Sequence, residues 1–158
     1  MNTFPRIISL MKQEAFDRVK NQMGPCGISC GGCALGNGTV AETAETLKQF
    51  IHLYGVAEWA PLIPGGSEVD FKKLDHSLDW IESLVGCPGC EHGGGPPDCS
   101  IRSCAKERGF ELCSQCSELE ECGNFQWLGE GGEQIKMRLA EARGKTKSEL
   151  ISEAVEKL

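Results

Sequence analysis

The sequence predicts a mainly α fold: a small helical domain interrupted by loop-rich, cysteine-dense segments. Three observations predict it. Apolar residues recur at helical spacing in the stretches that lack cysteine, no stretch reads as a strand, and ten cysteines in 158 residues fall in short runs rich in Gly and Pro. At this length, with 40% apolar and 25% charged residues, the chain can bury one ordinary core and reads as a single domain over 1–158.

The helical parts are 1–23, 39–86 and 130–158. In the first, Phe4, Ile7, Ile8, Met11, Ala15 and Val19 share one face of a helix that runs to about Asn21 and is ended by Gly24-Pro25. The second part opens on Thr39-Val-Ala-Glu42, the residues of a capping box in which hydroxyl and carboxylate each take an exposed backbone amide. Its apolar stripe is Val40, Ala44, Leu47, Ile51 and Tyr54. The run Pro-Leu-Ile-Pro-Gly-Gly at 61–66 is a breaker. A third helix starts near Ser67, with Asp70 in a weaker version of the box, and carries Phe71, Leu74, Leu78, Ile81 and Val85; the two stripes are expected to face each other. A short helix from Asp98 or Ser100 to Arg108 would have Asp98 as its cap. After 129–132 come two more helices, the last opening on the box Thr146-Lys-Ser-Glu149 and burying Leu150, Ile151, Ala154, Val155 and Leu158.

Trp59, Trp80 and Trp127 read as core anchors, and His52 and His76 as surface residues. The acidic stretch 118–121 reads as a solvated helix face. The glycines at 93–95 read as a flexible tether, because no Lys-Ser/Thr follows them and Pro96-Pro97 blocks the helix start that a phosphate loop needs.

The cysteine-rich segments are 24–36 and 87–124. Cys26, Cys30 and Cys33 form a CxxxCxxC cluster, Cys87 and Cys90 a CPGC pair, and Cys113 and Cys116 a second CxxC pair; Cys99, Cys104 and Cys122 stand singly. A CxxC turn lets two sulfurs reach one point, and its amides can donate to the thiolates and relieve their repulsion. The two pairs resemble a zinc-ribbon spacing in which each gives half of a four-thiolate site, with a spacer slightly longer than usual. CxxxCxxC is open to two readings: three irons of a four-iron cluster, or three thiolates on zinc with a fourth from elsewhere. The radical enzymes that use this spacing sit on long α/β barrels, for which this chain is too short and too helical. All ten cysteines are candidate metal ligands, making the loop region a metal-stapled one. His92 is the histidine nearest the cluster, and its alternative is a solvated loop residue. Spare cysteines would be small buried hydrophobes or, in one case, a reactive thiol, though no histidine neighbour marks it.

Charge bears on the partner. The formal net charge is −7, and two four-thiolate sites, each with a +2 ion or core, would deepen it to about −11. Between Cys87 and Cys122 the acids Glu91, Asp98, Glu107, Glu111, Glu118, Glu120 and Glu121 face only Arg102, Lys106 and Arg108. Phosphate backbones would be repelled, so nucleic acid is excluded as partner and another protein is the expectation. The opening MNTFPRIISLMKQEAF is split by Lys12, Gln13 and Glu14 and forms no signal-peptide core, and no run approaches the roughly 18 apolar residues of a membrane span. The expected location is the reducing cytoplasm, where thiols stay available to metals and disulfides, the competing use of these cysteines, are rare.

The order of these groups resembles a family of small cysteine-rich proteins of bacteria and archaea, classed as a domain of unknown function. Its opening Cys-Gly-(Leu/Ile)-x-Cys-x-x-Cys is matched by Cys26-Gly27-Ile28-Ser29-Cys30 and Cys33, and its Cys-x-Gly-Cys-like pair by Cys87-Pro88-Gly89-Cys90. Its Cys-x-Ile-(Arg/Lys)-x-Cys is matched by Cys99-Ser100-Ile101-Arg102-Ser103-Cys104, and its next pair by Cys113 and Cys116 after Gly109. The family's closing Pro-Cys is here Glu121-Cys122, which keeps the cysteine and lacks the proline. The resemblance covers roughly 26–122 and implies metal binding, with zinc as the metal, and no established activity.

Three functions are open at this point. The first is a non-catalytic zinc module that presents an interaction surface. The second is an iron–sulfur protein, with [4Fe–4S] clusters, that transfers electrons to a basic partner or assists an anaerobic enzyme. The third is a zinc- or thiolate-dependent enzyme, for which the sequence names no base beyond Glu91 and His92. Oligomeric state is not legible.

Overall fold

A computed structural model describes residues 4–157, with side chains described from residue 10 onward. The fold is mainly helical, as the periodicity predicts. In chain order the helices are α1 (Phe4–Val19), α2 (Thr39–Leu53), α3 (Val56–Trp59), α4 (Phe71–Glu82), α5 (Ser100–Glu107), α6 (Glu130–Glu141) and α7 (Lys147–Val155), joined by short 3-10 turns. Among the described residues the β content is one isolated antiparallel bridge, Met23 with Ser29. No described helix is long and apolar enough to cross a membrane.

The N-terminal half is built on small residues. Ala15 and Val19 of α1 and Ala41 and Ala44 of α2 are buried, and a Cβ on Gly38 would stand 3.2 Å from that of Ala15, so α1 and the start of α2 lie in close contact. α2 also packs along α4, where Leu78 is buried and Phe71, Leu74, Ile81 and Val85 are half-buried. The two stripes do meet, but α2 is rotated from the expected face: Leu47 and Tyr54 are exposed. Alanines bring helix axes closer than leucines can, and the larger residues are turned outward.

The helix starts differ in detail from expectation. No box forms at α2: Glu42 is taken by Lys12, and the Thr39 amide donates instead to Asn37 Oδ1 at 3.0 Å. α4 begins at Phe71, with Asp70 Oδ1 accepting from the Lys73 amide at 3.0 Å; 66–68 forms a separate 3-10 turn. That turn folds back so tightly that a Cβ on Gly66 would overlap the Ala60 carbonyl, which makes glycine obligatory there. α1 stops at Val19 rather than near Asn21, because the Cys30 amide donates to the Gln22 carbonyl at 2.9 Å and draws the chain into the Met23–Ser29 bridge. α5 is preceded by Cys99 rather than capped by Asp98. The box at α7 forms as expected, with Glu149 Oε2 accepting from the Thr146 amide at 2.7 Å and Thr146 Oγ1 accepting from the Glu149 amide at 3.2 Å. Leu150, Ile151, Ala154 and Val155 are half-buried rather than buried, and Leu158 lies outside the described residues.

The C-terminal half has the denser core. Ile101, Leu119, Phe125 and Leu139 are almost wholly buried, and Cys26, Cys99, Cys113 and Cys122 pack against them. The 3-10 turn Gly123–Leu128 presses on α6, where a Cβ on Gly132 would come within 2.3 Å of the Phe125 carbonyl. Residues 118–121 form turns, with Leu119 driven inward; they are not a solvated helix face. The tryptophans are not core anchors either: Trp59, Trp80 and Trp127 are 46%, 64% and 54% exposed. Trp59 Nε1 donates to the Tyr54 carbonyl at the surface, at 3.0 Å.

Lys48 closes the α2–α4 seam, its ammonium facing Asp79, Glu82 and Glu45. Burial, then the Glu45 carboxyl, holds Glu82 above the usual carboxylate range. A carboxyl raised in this way stabilises the fold at acid pH and loses that contribution as pH rises through its folded value. Replacing Lys48 by methionine leaves three acids facing one another. We expect Lys48→Met to lower stability by about 1 kcal/mol near neutrality, with a smaller deficit near pH 4. Urea unfolding at both pH values checks this, and an equal deficit would contradict it.

Candidate metal centres

Sequence spacing leaves open how ten cysteines lie; the fold brings Cys90 beside the loop of Cys26, Cys30 and Cys33, and lines one cavity with Cys104, Cys113, Cys116 and Cys122. All ten are free thiols in the structure.

The first group is Cys26, Cys30, Cys33 and Cys90. The loop after α1 is closed by the Gly24 amide donating to the Ile28 carbonyl at 3.0 Å. A Cβ on Gly24 would lie 3.2 Å from Cys26 Sγ and 3.4 Å from Cys90 Sγ, so those two sulfurs flank the bare glycine. The Cys90 amide donates to Cys30 Sγ at 3.4 Å. The neighbouring Cys90 thiol, ahead of burial and the Cys90 amide, sets the balance at Cys30 and holds it below the usual thiol range. Cys90 is pushed far up, first by the Cys30 side chain, then by burial, then by the charges of Cys30, Cys26 and Cys33.

Cys90 is brought there by a turn with little slack. Gly89 has φ +89°, and a Cβ on it would collide with the Gln22 amide, whose Nε2 donates to the Pro88 carbonyl at 3.0 Å and to the Arg18 carbonyl at 3.2 Å. Downstream, the Gly94 amide donates to the Gly89 carbonyl at 2.8 Å, and Arg102 donates to the carbonyls of Gly94, Pro96 and Pro97 at 2.6, 2.8 and 3.2 Å. The glycine–proline run is therefore a clamped loop and not a tether. α7 adds a further tie, Lys147 to Glu91 at 2.7 Å.

The second group is Cys104, Cys113, Cys116 and Cys122, which together line a cavity of about 360 Å³ whose walls include Ile101, Phe110, Leu119 and Phe125. Cys104 lies on α5, Cys113 and Cys116 bracket a 3-10 turn, and Cys122 immediately precedes the next one. Gln115 Oε1 holds the entry to this turn, accepting from the Glu111 and Leu112 amides at 2.8 and 3.2 Å. Cys113 is pushed up to about 12 by burial and then by the charges of Cys26, Cys122, Cys104 and Cys116. Arg108 Nη1 donates to Cys116 Sγ at 3.2 Å.

Cys26 stands between the groups: it flanks Gly24 with Cys90, packs on the same core as Cys113 and Cys122, and is held up by burial and by Cys99. One residue before it, the Pro25 carbonyl accepts from the Cys113 amide at 2.8 Å. Cys99 packs on that core as well and raises Cys26, and Cys87 lies 2.8 Å from where a Gly94 Cβ would sit. Of the two CxxC pairs, Cys90 stands beside the CxxxCxxC loop, while Cys113 and Cys116 line the second cavity. His92 is exposed, its Nδ1 3.2 Å from Gln22 Oε1; His52 and His76 are at the surface as expected, His52 paired with Asp75 at 2.7 Å.

Among the described residues, no three Cys, His, Asp or Glu side chains converge closely enough to grip an ion as they stand. The donors nevertheless suit one in kind and number. Four soft sulfurs per group match what zinc or an iron–sulfur core takes, and the raised thiols of Cys90, Cys113 and Cys26 would ionise readily only beside a cation. The sequence did not reveal Arg108, Arg102, Gln22 or Lys147, since each reaches its partner through the fold and at no motif-like spacing.

These features define a small helical protein whose cysteines are gathered by loops packed on a helical core. A family model described as "Protein of unknown function (DUF3795)" matches residues 22–127, spanning both cysteine groups, and the chain belongs to that family. No curated protein and no solved structure matches the chain.

The turn at Gly89 offers a direct check. Gly93 has a similar positive φ but open space around it. We expect Gly93→Ala to cost about 1 kcal/mol from backbone strain and Gly89→Ala about 2–4 kcal/mol from strain plus overpacking. Chemical denaturation measures both, and equal losses would show that the Gln22 contact does not shape the turn.

Proposed function

We propose that this chain is a thiolate metal-binding protein with two centres, one on Cys26, Cys30, Cys33 and Cys90 and the other on Cys104, Cys113, Cys116 and Cys122. What supports this reading is that Cys90 comes to lie beside Cys26 and Cys30 from far along the chain, and that Cys104, Cys113, Cys116 and Cys122 line one cavity. Zinc is the first choice of metal. Bound there, it would supply positive charge that lets four thiols ionise and ties the stretches together. Structural zinc is worth about 10–16 kcal/mol in small peptides, comparable to the whole stability of a domain. The loops that carry the sulfurs have few helical hydrogen bonds of their own, so a tie of that size would govern whether they hold their shape.

The role that follows is to present a surface to another protein in the cytoplasm. Leu47, Phe50, Leu53, Tyr54 and Leu62 form an exposed apolar run along and beyond α2, of the kind that marks interaction sites. The acidic net charge of −7 argues against nucleic acid.

A second reading is favoured by one observation. Zinc needs its sulfurs about 2.3 Å from a single point, whereas the second group bounds about 360 Å³, room for a multi-atom iron–sulfur core.

Elemental analysis of anaerobically purified protein separates the readings. Two zinc ions per colourless chain is the expected result, with Cys90→Ser and Cys113→Ser each losing one and Cys87→Ser losing none. A brown protein absorbing near about 400 nm would establish the cluster reading instead. Less than one metal per chain, with all ten thiols titrating as free, would overturn both.

A further inference from the structure

We propose that the cleft between α6, α7 and the loop 23–32 binds a small organic monocarboxylate, its apolar body lying on the helices and its carboxylate held by Arg138 and Ser29. The inference needs no metal and does not depend on the two-centre reading.

The cleft encloses about 480 Å³, a size that suits a small-molecule site. Its apolar surface comes from Ile28 on the loop, Ile135, Leu139 and Ala142 on α6, and Leu150 and Ala154 on α7. Sequence periodicity marks Leu150 and Ala154 for burial, yet both stay half-buried at the edge of this space. The walls are already set. Gly27 has φ +77°, and a Cβ on it would come within 2.8 Å of Leu139 Cδ2, so the loop rests directly on α6. Lys147, at the start of α7, reaches Glu91 at 2.7 Å, and Lys145 in the preceding link reaches Glu153 at 2.6 Å.

Two independent features select the head group. The first is charge. Arg138, Lys145 and Lys157 line the cleft against Glu141 and Glu153, which leaves one positive charge uncancelled in a chain of net charge −7. Glu153 is occupied by Lys145, and among the described residues no ion pair involves Arg138 or Lys157. One surplus charge matches a monoanion; a phosphate monoester, at about −2, would be only half neutralised.

The second feature is Ser29. Its Oγ is buried and has no hydrogen-bond partner among the described residues. A buried hydroxyl in that state is unfavourable. Turning χ1 by one staggered step carries it towards the open side of this half-buried residue, where it lines the cleft. The backbone adds a donor. In the Met23–Ser29 bridge the cross-chain bonds are made by neighbours, Gly24 to Ile28 and Cys30 to Gln22, so the Ser29 amide points away from the bridge. A carboxylate suits this set, because it only accepts, and its two oxygens can serve the guanidinium and the serine together.

The test titrates the isotope-labelled full chain with octanoate and follows amide shifts, with 1-octanol, octylamine and acetate as comparisons. Octanoate is expected to saturate below about 5 mM, the affinity that about ten non-hydrogen atoms reach at the low end of ligand efficiency. Its shifts should centre on Ile28, Ser29, Arg138, Leu150 and Ala154, and the three comparisons should bind at least about 10-fold more weakly. Exposed Arg138 can be changed without disturbing the core: Arg138→Gln should weaken octanoate about 10-fold and Ser29→Ala about 3–10-fold. Ala154→Phe fills the cleft, leaves both polar groups in place and should abolish binding. Absence of saturation at that concentration overturns the inference, as does equal affinity for octanol or octylamine. Shifts centred on Leu47 and Phe50 instead, or wild-type affinity in any of the three variants, would also overturn it.

Discussion

The structure depends on sulfur buried beside sulfur. A thiol in an apolar setting resists ionisation, and a second thiol close by makes it harder still. Half-buried Cys90 and Cys113 meet both conditions: Cys90 is pushed up first by the Cys30 side chain and then by burial, and Cys113 by burial and then by four neighbouring cysteines. Packing sulfurs in this way has no evident gain for a fold that already buries Ile101, Leu119, Phe125 and Leu139. It becomes favourable once a cation joins each group, because the repulsion that penalises the bare thiols is then replaced by attraction to the metal. The proposed centres explain why so many cysteines are drawn together.

The helices serve that arrangement. α1 and α2 approach through Ala15 and Gly38, and the chain leaving α1 bends into the loop that carries Cys26, Cys30 and Cys33. Gln22 and Arg18 reach across to Pro88 and Val85, fixing the turn that supplies Cys90. On the other side α5 and the turn pressed on α6 frame the second cavity. The Pro25–Cys113 hydrogen bond and Cys26 join the two.

Much of this was legible in the sequence, and the reasons differ by element. The helix stripes of α2 and α4 were readable because periodicity records which residues are apolar, and the box at Thr146–Glu149 formed because nothing competes for its groups. The similar box at Thr39 failed because Lys12, distant in sequence, takes Glu42. The face of α2 was misjudged for a related reason: size complementarity between alanine and glycine decides which side packs, and hydrophobicity favours leucine and tyrosine. Exposed Trp59, Trp80 and Trp127 follow the same rule. Cysteine positions named the candidate donors, but their grouping needed tertiary contacts. Cys90 joins a cluster about sixty residues away because Gln22 and Arg102 shape its loop, and no local pattern encodes that.

Differential alkylation tests the proposed pair of four-sulfur centres most directly. The native, anaerobically prepared chain is treated briefly with a maleimide, then unfolded with a chelator and labelled with a second reagent, and the cysteines are assigned by peptide mass spectrometry. Early labelling confined to Cys87 and Cys99, with Cys26, Cys30, Cys33, Cys90, Cys104, Cys113, Cys116 and Cys122 protected until the chelator is added, is the result that two four-sulfur centres require. Protection of Cys87 or Cys99 alongside early labelling of any of those eight, or uniform labelling of all ten, would contradict it.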